Sequence, residues 1–513
     1  MLARTTLTIG IALLGLFFGG TRAVSFVPVF FIFCLAFVLM LSANCGFRHN
    51  LYRLYNFAPF WIGAALALYI VVQILNPWLA FTHMDGFSSP EFLDYMEFLP
   101  SSVQSADSSV DSPYASLVAV LLAWLCACSL HLGIISRGDC KYYAKVLFFT
   151  SVVLAVCAMG DSIFSKGSVY IWGLMDESAG SHYGSFIYKN QCGAFLLLGM
   201  ACGIALLMSS MFSRASLAKS FFYGVGVATV AAGVFISRSV GSILFCVLIL
   251  AASVLVVAWH SRFGKFKISA AIVVVLAAVS VSIFFIYLGQ SQVEISFARL
   301  SSFIGQDASF EKRIKDLTGD RGKYKKIALD FIVTGGNWEL SDSNNSSKLR
   351  TILGSGATSF GKIMRLRGAS DNYFSAKVYS TSLAPNAAIM VPVHAHCDML
   401  EAVFEFGLVW LLVFLAMAAC FIRKMVRAKF WRSSFLSIQC AGILLILVYS
   451  FNDIIFYNMF LFAAFCGLAT ISFDYAEFLY SDNKKVASSS ANRIYGFGRG
   501  KRKRLLVPDK SIN

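Results

Sequence analysis

The chain has 513 residues, of which 58% are hydrophobic and 14% charged, with a formal net charge of +16 and a mean hydropathy of +0.71. Such a composition excludes a soluble globular domain. Apolar runs of membrane-spanning length recur along almost the whole chain, which also excludes a soluble protein held by one anchor. Many of the 13 cysteines sit inside apolar runs such as "AWLCACSL", where they read as small packing residues and not as a disulfide framework or a metal set.

In chain order, the hydropathy pattern predicts spans at 6–20, 23–42, 57–75, 114–135, 146–162, 190–210, 221–236, 240–259, 268–288, 402–422, 434–450 and 454–472. The expected fold class is therefore all-α: a polytopic membrane protein with about twelve transmembrane helices. The first run resembles a signal peptide, but a second follows almost at once, which favours a first transmembrane helix.

Basic residues fall on alternate connections: Arg4; Arg48 and Arg53; Arg137, Lys141 and Lys145; Arg214 and Lys219; Arg262, Lys265 and Lys267; then Arg423, Lys424, Arg427, Lys429 and Arg432. By the positive-inside rule these connections, and both termini, are expected on the cytoplasmic side. The 76–113 connection carries Asp85, Glu91, Asp94, Glu97, Asp107 and Asp111 with no Lys or Arg, as suits an outside loop. Four units follow: 1–288 with spans one to nine, 289–392 as a large, partly helical outer loop or cap, 393–475 with spans ten to twelve, and 476–513 as a basic cytoplasmic tail. The tail "GRGKRKRLLVPDK" is expected to be disordered and to meet anionic membrane lipids; nucleic acid is not an expected partner.

The outer loop is itself basic, which long loops tolerate without reversing topology. A negatively charged substrate at the outer leaflet would account for it, since Arg matches phosphate oxygens with a rigid fork of donors. A solvated cap resting on lipid headgroups is the plainer alternative.

Three places carry candidate chemistry. Arg238, in "VFISRSVGSILF", lies in the very short turn between the seventh and eighth spans. It either snorkels to headgroups or faces a polar cavity, and Ser237, Ser239, Gly241 and Ser242 favour the cavity by permitting close packing and adding donors. In "LTGDRGKYKKIALDFIVTGGNWE", Arg321 sits in a turn before a helical pattern through Tyr324, Ile327, Ala328 and Phe331. Lys323 adds charge, and a helix start with a guanidinium suits a phosphate. The following "ILGSGATSFG", with Gly354 and Gly356, is glycine-rich but lacks the Gly-Lys-Ser/Thr ending of a nucleotide loop, so no nucleotide is expected. Ordinary turn chemistry is the alternative for both segments. The third place is "VHAHCDMLEAVFEFGLVW", residues 393–410. Helical spacing puts His396 and Leu400 on one side, and Glu401 and Glu405 on another. His394 and His396 resemble half of a metal site, but Cys397 and Asp398 do not complete it, so no metal is expected. A histidine at the outer interface can accept a proton from an attacking hydroxyl or hold a departing diphosphate; two interfacial histidines without chemistry is the alternative.

Together these features point to transfer of a sugar from a lipid diphosphate, whose leaving group is already installed and needs no nucleotide. At this point the chain resembles the O-antigen ligase and O-antigen polymerase superfamily of bacterial inner-membrane enzymes. The family's histidine motif is matched by "HCDMLEAVFEFGL", with His396 on the histidine, Glu405 and Gly407 on the later positions, and Cys397 in place of the common Asn. Its Ser-Arg-Gly is matched around Arg238 with Ser239 replacing Gly, its Gly-Arg resembles "GDRGKY" at Arg321 and Tyr324, and its glycine segment matches Gly354 and Gly356. The motifs cover residues 236–410.

The resemblance implies an enzyme of the inner membrane with a periplasmic active face. Its donor would be an undecaprenyl-diphosphate-linked glycan, and its acceptor lipid A core or a second lipid-linked glycan. Arg238 and Arg321 would hold the diphosphate and His396 would activate or align the acceptor, with His394, Tyr324, Lys323, Gly354, Gly356, Glu401 and Glu405 lining the substrate site and no cofactor. The motif set resembles the ligase branch most; polymerase is the alternative within the family. A secondary transporter is the alternative outside it, although no half-and-half repeat is visible and few acids lie at mid-membrane depth. A non-enzymatic assembly scaffold is a further reading.

Overall fold

The computed structural model describes residues 1–17, 23–43, 46–84, 87–105, 112–164, 183–212, 217–261, 321–334, 349–370 and 394–500. The expected ninth span, 268–288, lies outside them, as does the end of the tail.

The protein is a largely helical, multi-span membrane protein. Its helices are α1 (Leu2–Leu16), α2 (Ala23–Ser42), α3 (Phe47–Tyr55), α4 (Ala58–Leu75), α5 (Pro113–Gly133), α6 (Arg137–Phe164), α7 (Lys189–Met211), α8 (Leu217–Ile236), α9 (Val240–Ser261), α10 (Arg321–Thr334), α11 (Leu349–Leu353), α12 (Ser359–Ser370), α13 (Asp398–Ala428), α14 (Ser434–Ser450) and α15 (Met459–Gly500). Among the described residues eight helices are long and apolar enough to cross a membrane, or nine if a bent pair is counted as one span. The expected count of about twelve is therefore not reached. α1 and α14 have 15 and 17 residues, short of the ~20 that span a bilayer. The second expected span is broken where Phe26–Ser42 and Phe47–Tyr55 meet at 113°. α15 runs past the expected end of the last span, so residues 476–500 continue a helix.

α7 is apolar on every side and 94% of its spanning window is buried, as a helix without a polar face must be. It packs against α6, α8, α9 and α14, while α5 packs on α2, α4 and α15. α13 lies at the rim: only 11% of its window is buried, and Leu408, Leu411, Leu412, Leu415 and Ile422 are exposed.

The connections divide between two ends. At one, Arg53 donates to the carbonyls of His131, Leu132 and Ile134, Arg137 meets Asp482 at 2.6 Å and Arg4 meets Asp139 at 3.3 Å. At the other, the α4–α5 connection, the α8–α9 turn, the segment before α7, the α14–α15 connection and the described parts of 289–392 come together.

The α4–α5 connection is not a plain loop. It folds a three-stranded sheet of β1 (Pro77–Met84), β2 (Phe87–Phe92) and β3 (Ser102–Ser105) in the order β2-β1-β3, a departure from the all-α expectation. β1 runs antiparallel to β2 and parallel to β3, with Phe81 opposite Pro90 on edge strand β2, where proline is tolerated. The sheet exists because it has something to cover. Trp78, Leu79 and Val103 share a buried core with Ile327, Phe331 and Ile332 of α10, Phe360 and Ile363 of α12, and Phe404 of α13. Phe404 stands 4.4 Å from Phe331 and 5.3 Å, edge to face, from Phe360. The cap is thereby fastened to the first turns of α13.

Arg350 is the charged member of this interface. Only 8% exposed, it holds its guanidinium carbon 3.9 Å from the Trp78 ring centre and donates to Tyr95 Oη at 3.0 Å. A desolvated cation–π contact and a hydrogen bond from a charged donor together stabilise by about 2–4 kcal/mol. Arg350→Ala is expected to lose that amount, read as a lower melting temperature and faster proteolysis of the cap; an unchanged melting temperature would refute the assignment.

Candidate functional site

α13 does not begin where helical spacing put it. His396 has φ of 50°, in the left-handed region, and the helix starts only at Asp398. His396 and Leu400 therefore do not share a helix side, whereas Glu401 and Glu405 both lie on α13. The turn at His396 sends the two histidines apart. His394 Nδ1 lies 2.8 Å from Glu401 Oε1, with its ring edge-on to Tyr457 at 4.2 Å, while Glu401 Oε2 accepts from Ala395 N at 2.9 Å. His396 faces Asp453, Nδ1 to Oδ1 3.6 Å, with the Tyr324 ring stacked over it at 6.2 Å. Among the described residues no group of three His, Cys, Asp or Glu side chains is placed to hold a metal ion.

Asp453 is the residue that sequence reading missed. It is 2% exposed, and a carboxylate so buried must be satisfied by donors. Tyr188 Oη donates to it at 3.1 Å, Asn190 Nδ2 donates as well, and Ile454 N reaches Oδ1 at 2.9 Å. Tyr188 and Asn190 stand at the start of α7, and Gln191 there donates to Ile454 O at 3.2 Å, so the most buried helix fixes the carboxylate. The signal was present: an ionisable residue inside the apolar run "YSFNDIIFYN" marks a functional position by default. His396 Nδ1, meanwhile, is buried with no hydrogen-bond partner. A closure of well under 1 Å toward Asp453 would give it one and leave Nε2 as the proton acceptor.

The other candidates surround this pair. Arg238 occupies the α8–α9 turn with φ of 56°; among the described residues only Thr358 and Lys429 share with Arg238 and His396 a positive φ at a non-glycine position. Such strain persists where surrounding structure imposes it, and clusters at functional sites. Ser237, Ser239 and Ser242 are all buried, and Tyr449 Oη lies 3.3 Å from Ser239 Oγ and 3.1 Å from Ser242 Oγ. Tyr449 is four residues before Asp453, and a side chain on Gly193 of α7 would collide with Ser242. The serines thus face the protein interior, as the cavity reading of Arg238 expects.

α10 begins at Arg321, and its buried face is Ile327, Ala328, Phe331 and Ile332. Lys325 Nζ donates to Phe451 O at 2.9 Å, two residues from Asp453. The side chains of Arg321 and Lys323 lie outside the described part of the structure.

Gly354 and Gly356 are brought to α13 by their backbones. Gly407 breaks α13 with φ of 68° and ψ of −166°, freeing the carbonyls before it. Ser355 N then donates to Phe404 O and Gly356 N to Glu405 O, both at 2.9 Å. Gln73 Nε2 adds 3.1 Å to Glu405 O, and Tyr69 Oη donates at 2.6 Å to Leu353 O. A Cβ on Gly354 would lie 2.2 Å from Glu405 O, and one on Gly356 2.4 Å from the Ser102 Cα. Both glycines are buried in this junction; the substrate-lining role expected of them has here a packing function beside it.

Cys397, in the position where the resembled family commonly has Asn, is buried, and burial pushes its thiol above the ordinary range, which leaves it a poor nucleophile. Compared with known proteins, the sequence matches no family model and no curated protein.

Proposed function

We propose that the protein is a membrane glycosyltransferase that moves a glycan from undecaprenyl diphosphate to a lipid A core acceptor, in the manner of an O-antigen ligase, from the periplasmic face of a bacterial inner membrane. The observation that carries this reading is His396: a half-exposed imidazole beneath the cap, 3.6 Å from a buried carboxylate that Tyr188 and Asn190 hold in place.

In this mechanism His396 Nε2 takes the proton from an acceptor hydroxyl as its oxygen attacks the anomeric carbon, while Asp453 orients the ring and stabilises its charge. The bond from the anomeric carbon to the diphosphate oxygen breaks, and undecaprenyl diphosphate leaves with the electron pair. Arg238 and Arg321 stabilise the charge that develops there, since donors fixed where charge appears act most strongly out of water. No cofactor takes part in this scheme.

The test is a reconstituted transfer assay. Purified protein in liposomes receives the lipid-diphosphate glycan with lipid A core in one tube and a second lipid-linked repeat in another. Product with lipid A core supports the ligase; product only in the second tube makes the protein a polymerase. No product in either, from folded protein supplied with its native glycan, would reject the transferase and return transport or scaffolding. Arg321→Lys is expected to lower transfer about tenfold or more, because charge survives but the bidentate fork does not; unchanged turnover would remove Arg321 from the diphosphate site.

A further inference from the structure

A cavity of about 150 Å³ opens on the other side of the segment that carries His396, bounded by α4, α5, α13, the residues before α15 and α15 itself. Its walls combine two chemistries. One is aromatic: Trp410, Tyr457 and Phe462. The other is acidic: Asp398, Glu401 and Glu405, all from α13.

Two of the carboxylates are committed. Asp398 Oδ2 accepts from Ile455 N at 2.8 Å and Phe456 N at 2.9 Å, and Glu401 is taken up by His394 and Ala395 N. Glu405 differs: it is 6% exposed and lines the cavity, yet its Oε1 has no hydrogen-bond partner. A buried polar oxygen without a donor costs about 1–3 kcal/mol, more when charged, so a site that keeps one has a donor to receive.

The volume sets the size of that donor's carrier. An apolar cavity of about 150 Å³ holds one benzene-sized ring. A six-membered ring with hydroxyl donors on its edge and C–H groups on its faces satisfies both walls: hydroxyls toward Glu405, faces toward the aromatics. A metal ion fits less well, because the described acids are not grouped as ligands, and a lipid chain would leave Oε1 unpaired. We infer that this cavity is a subsite for one sugar ring, held by a hydroxyl donating to Glu405 Oε1 and by stacking on the aromatic wall. The choice of a sugar among hydroxylated rings rests on the transferase reading above.

The experiment is saturation-transfer NMR on the full-length protein in nanodiscs, with methyl glycosides of hexoses, 6-deoxyhexoses and N-acetylhexosamines as probes. At least one probe is expected to show saturation of its ring protons. Glu405→Gln should weaken that binding about tenfold or more, the loss of one hydrogen bond to a charged acceptor. Ala402→Phe, which fills the cavity from its wall, should abolish it while the melting temperature stays within a few degrees. Absence of saturation across the panel, saturation unaltered by both substitutions, or contacts only from co-purified lipid chains would overturn the subsite. Ring saturation in a protein that transfers no glycan would keep the subsite and reject the transferase; transfer without saturation would do the reverse.

Discussion

His396→Ala is expected to cut glycan transfer by about 10²–10⁴-fold, the usual contribution of a positioned general base, while the protein stays folded in the membrane. The imidazole is partly exposed and its side chain makes no hydrogen bond in the buried core, so its loss leaves no orphaned partner. Asp453 retains Tyr188, Asn190 and Ile454 N in its absence. The loss should fall on kcat with the donor KM little changed, because the proton is taken in the transition state and not on binding. Asp453→Asn keeps the shape of the pair and removes its charge. It is expected to lower kcat about 10²-fold, through loss of imidazole orientation and charge stabilisation. Normal turnover by well-expressed His396→Ala would remove it from the chemistry. A parallel fall in melting temperature would make its role structural.

The second large effect is at the break in α13. Gly407→Ala is expected to destabilise the protein by about 2–5 kcal/mol, the combined cost of a backbone conformation open essentially to glycine alone and of a forced overlap. A Cβ there would stand 2.1 Å from Ile352 O and 2.5 Å from Gly354 N, both backbone atoms that cannot swing aside. Either α13 straightens or residues 352–356 withdraw. Both outcomes sever the hydrogen bonds from Ser355, Gly356 and Gln73 to the freed carbonyls, and with them the docking of the cap beside His396. Thermal unfolding in detergent and limited proteolysis of residues 321–370 would read the change. Gly160→Ala is the control, since a Cβ at Gly160 meets nothing within 4 Å and helix propensity favours alanine there. Equal melting temperatures for the two variants would show that α13 runs unbroken through position 407.

The cavity at Glu405 and the His396–Asp453 pair lie on either side of the short segment 394–398. Asp398 ties them together by holding Ile455 and Phe456, two and three residues after Asp453. A sugar seated against Glu405 would thus sit beside the segment that presents the base, and the α14–α15 connection would sense both. That arrangement makes residues 451–458 the part of the chain where substitutions should affect binding and turnover together.

Hydropathy by itself determined that the chain is a multi-span helical membrane protein, because a segment in lipid must satisfy its backbone internally and be apolar over its length. It also divided the connections into two sets, since basic residues are costly to translocate, and the contacts of Arg53, Arg137 and the Tyr188–Asp453 pair follow that division. The helical spacing of Tyr324, Ile327, Ala328 and Phe331 was equally legible. Spans that bend or fall short were not, because hydropathy registers composition and not the 113° turn between α2 and α3. The β1–β3 sheet was hidden for a related reason: its strands are held by the α10–α12 core, which is distant in sequence. Only the tertiary structure decided the direction of the two histidines, since a positive φ at His396 overrides the helical period, and only it joined His396 to Asp453. Those two residues are brought together by the packing of α7 against the α14–α15 connection, a contact that no local pattern encodes.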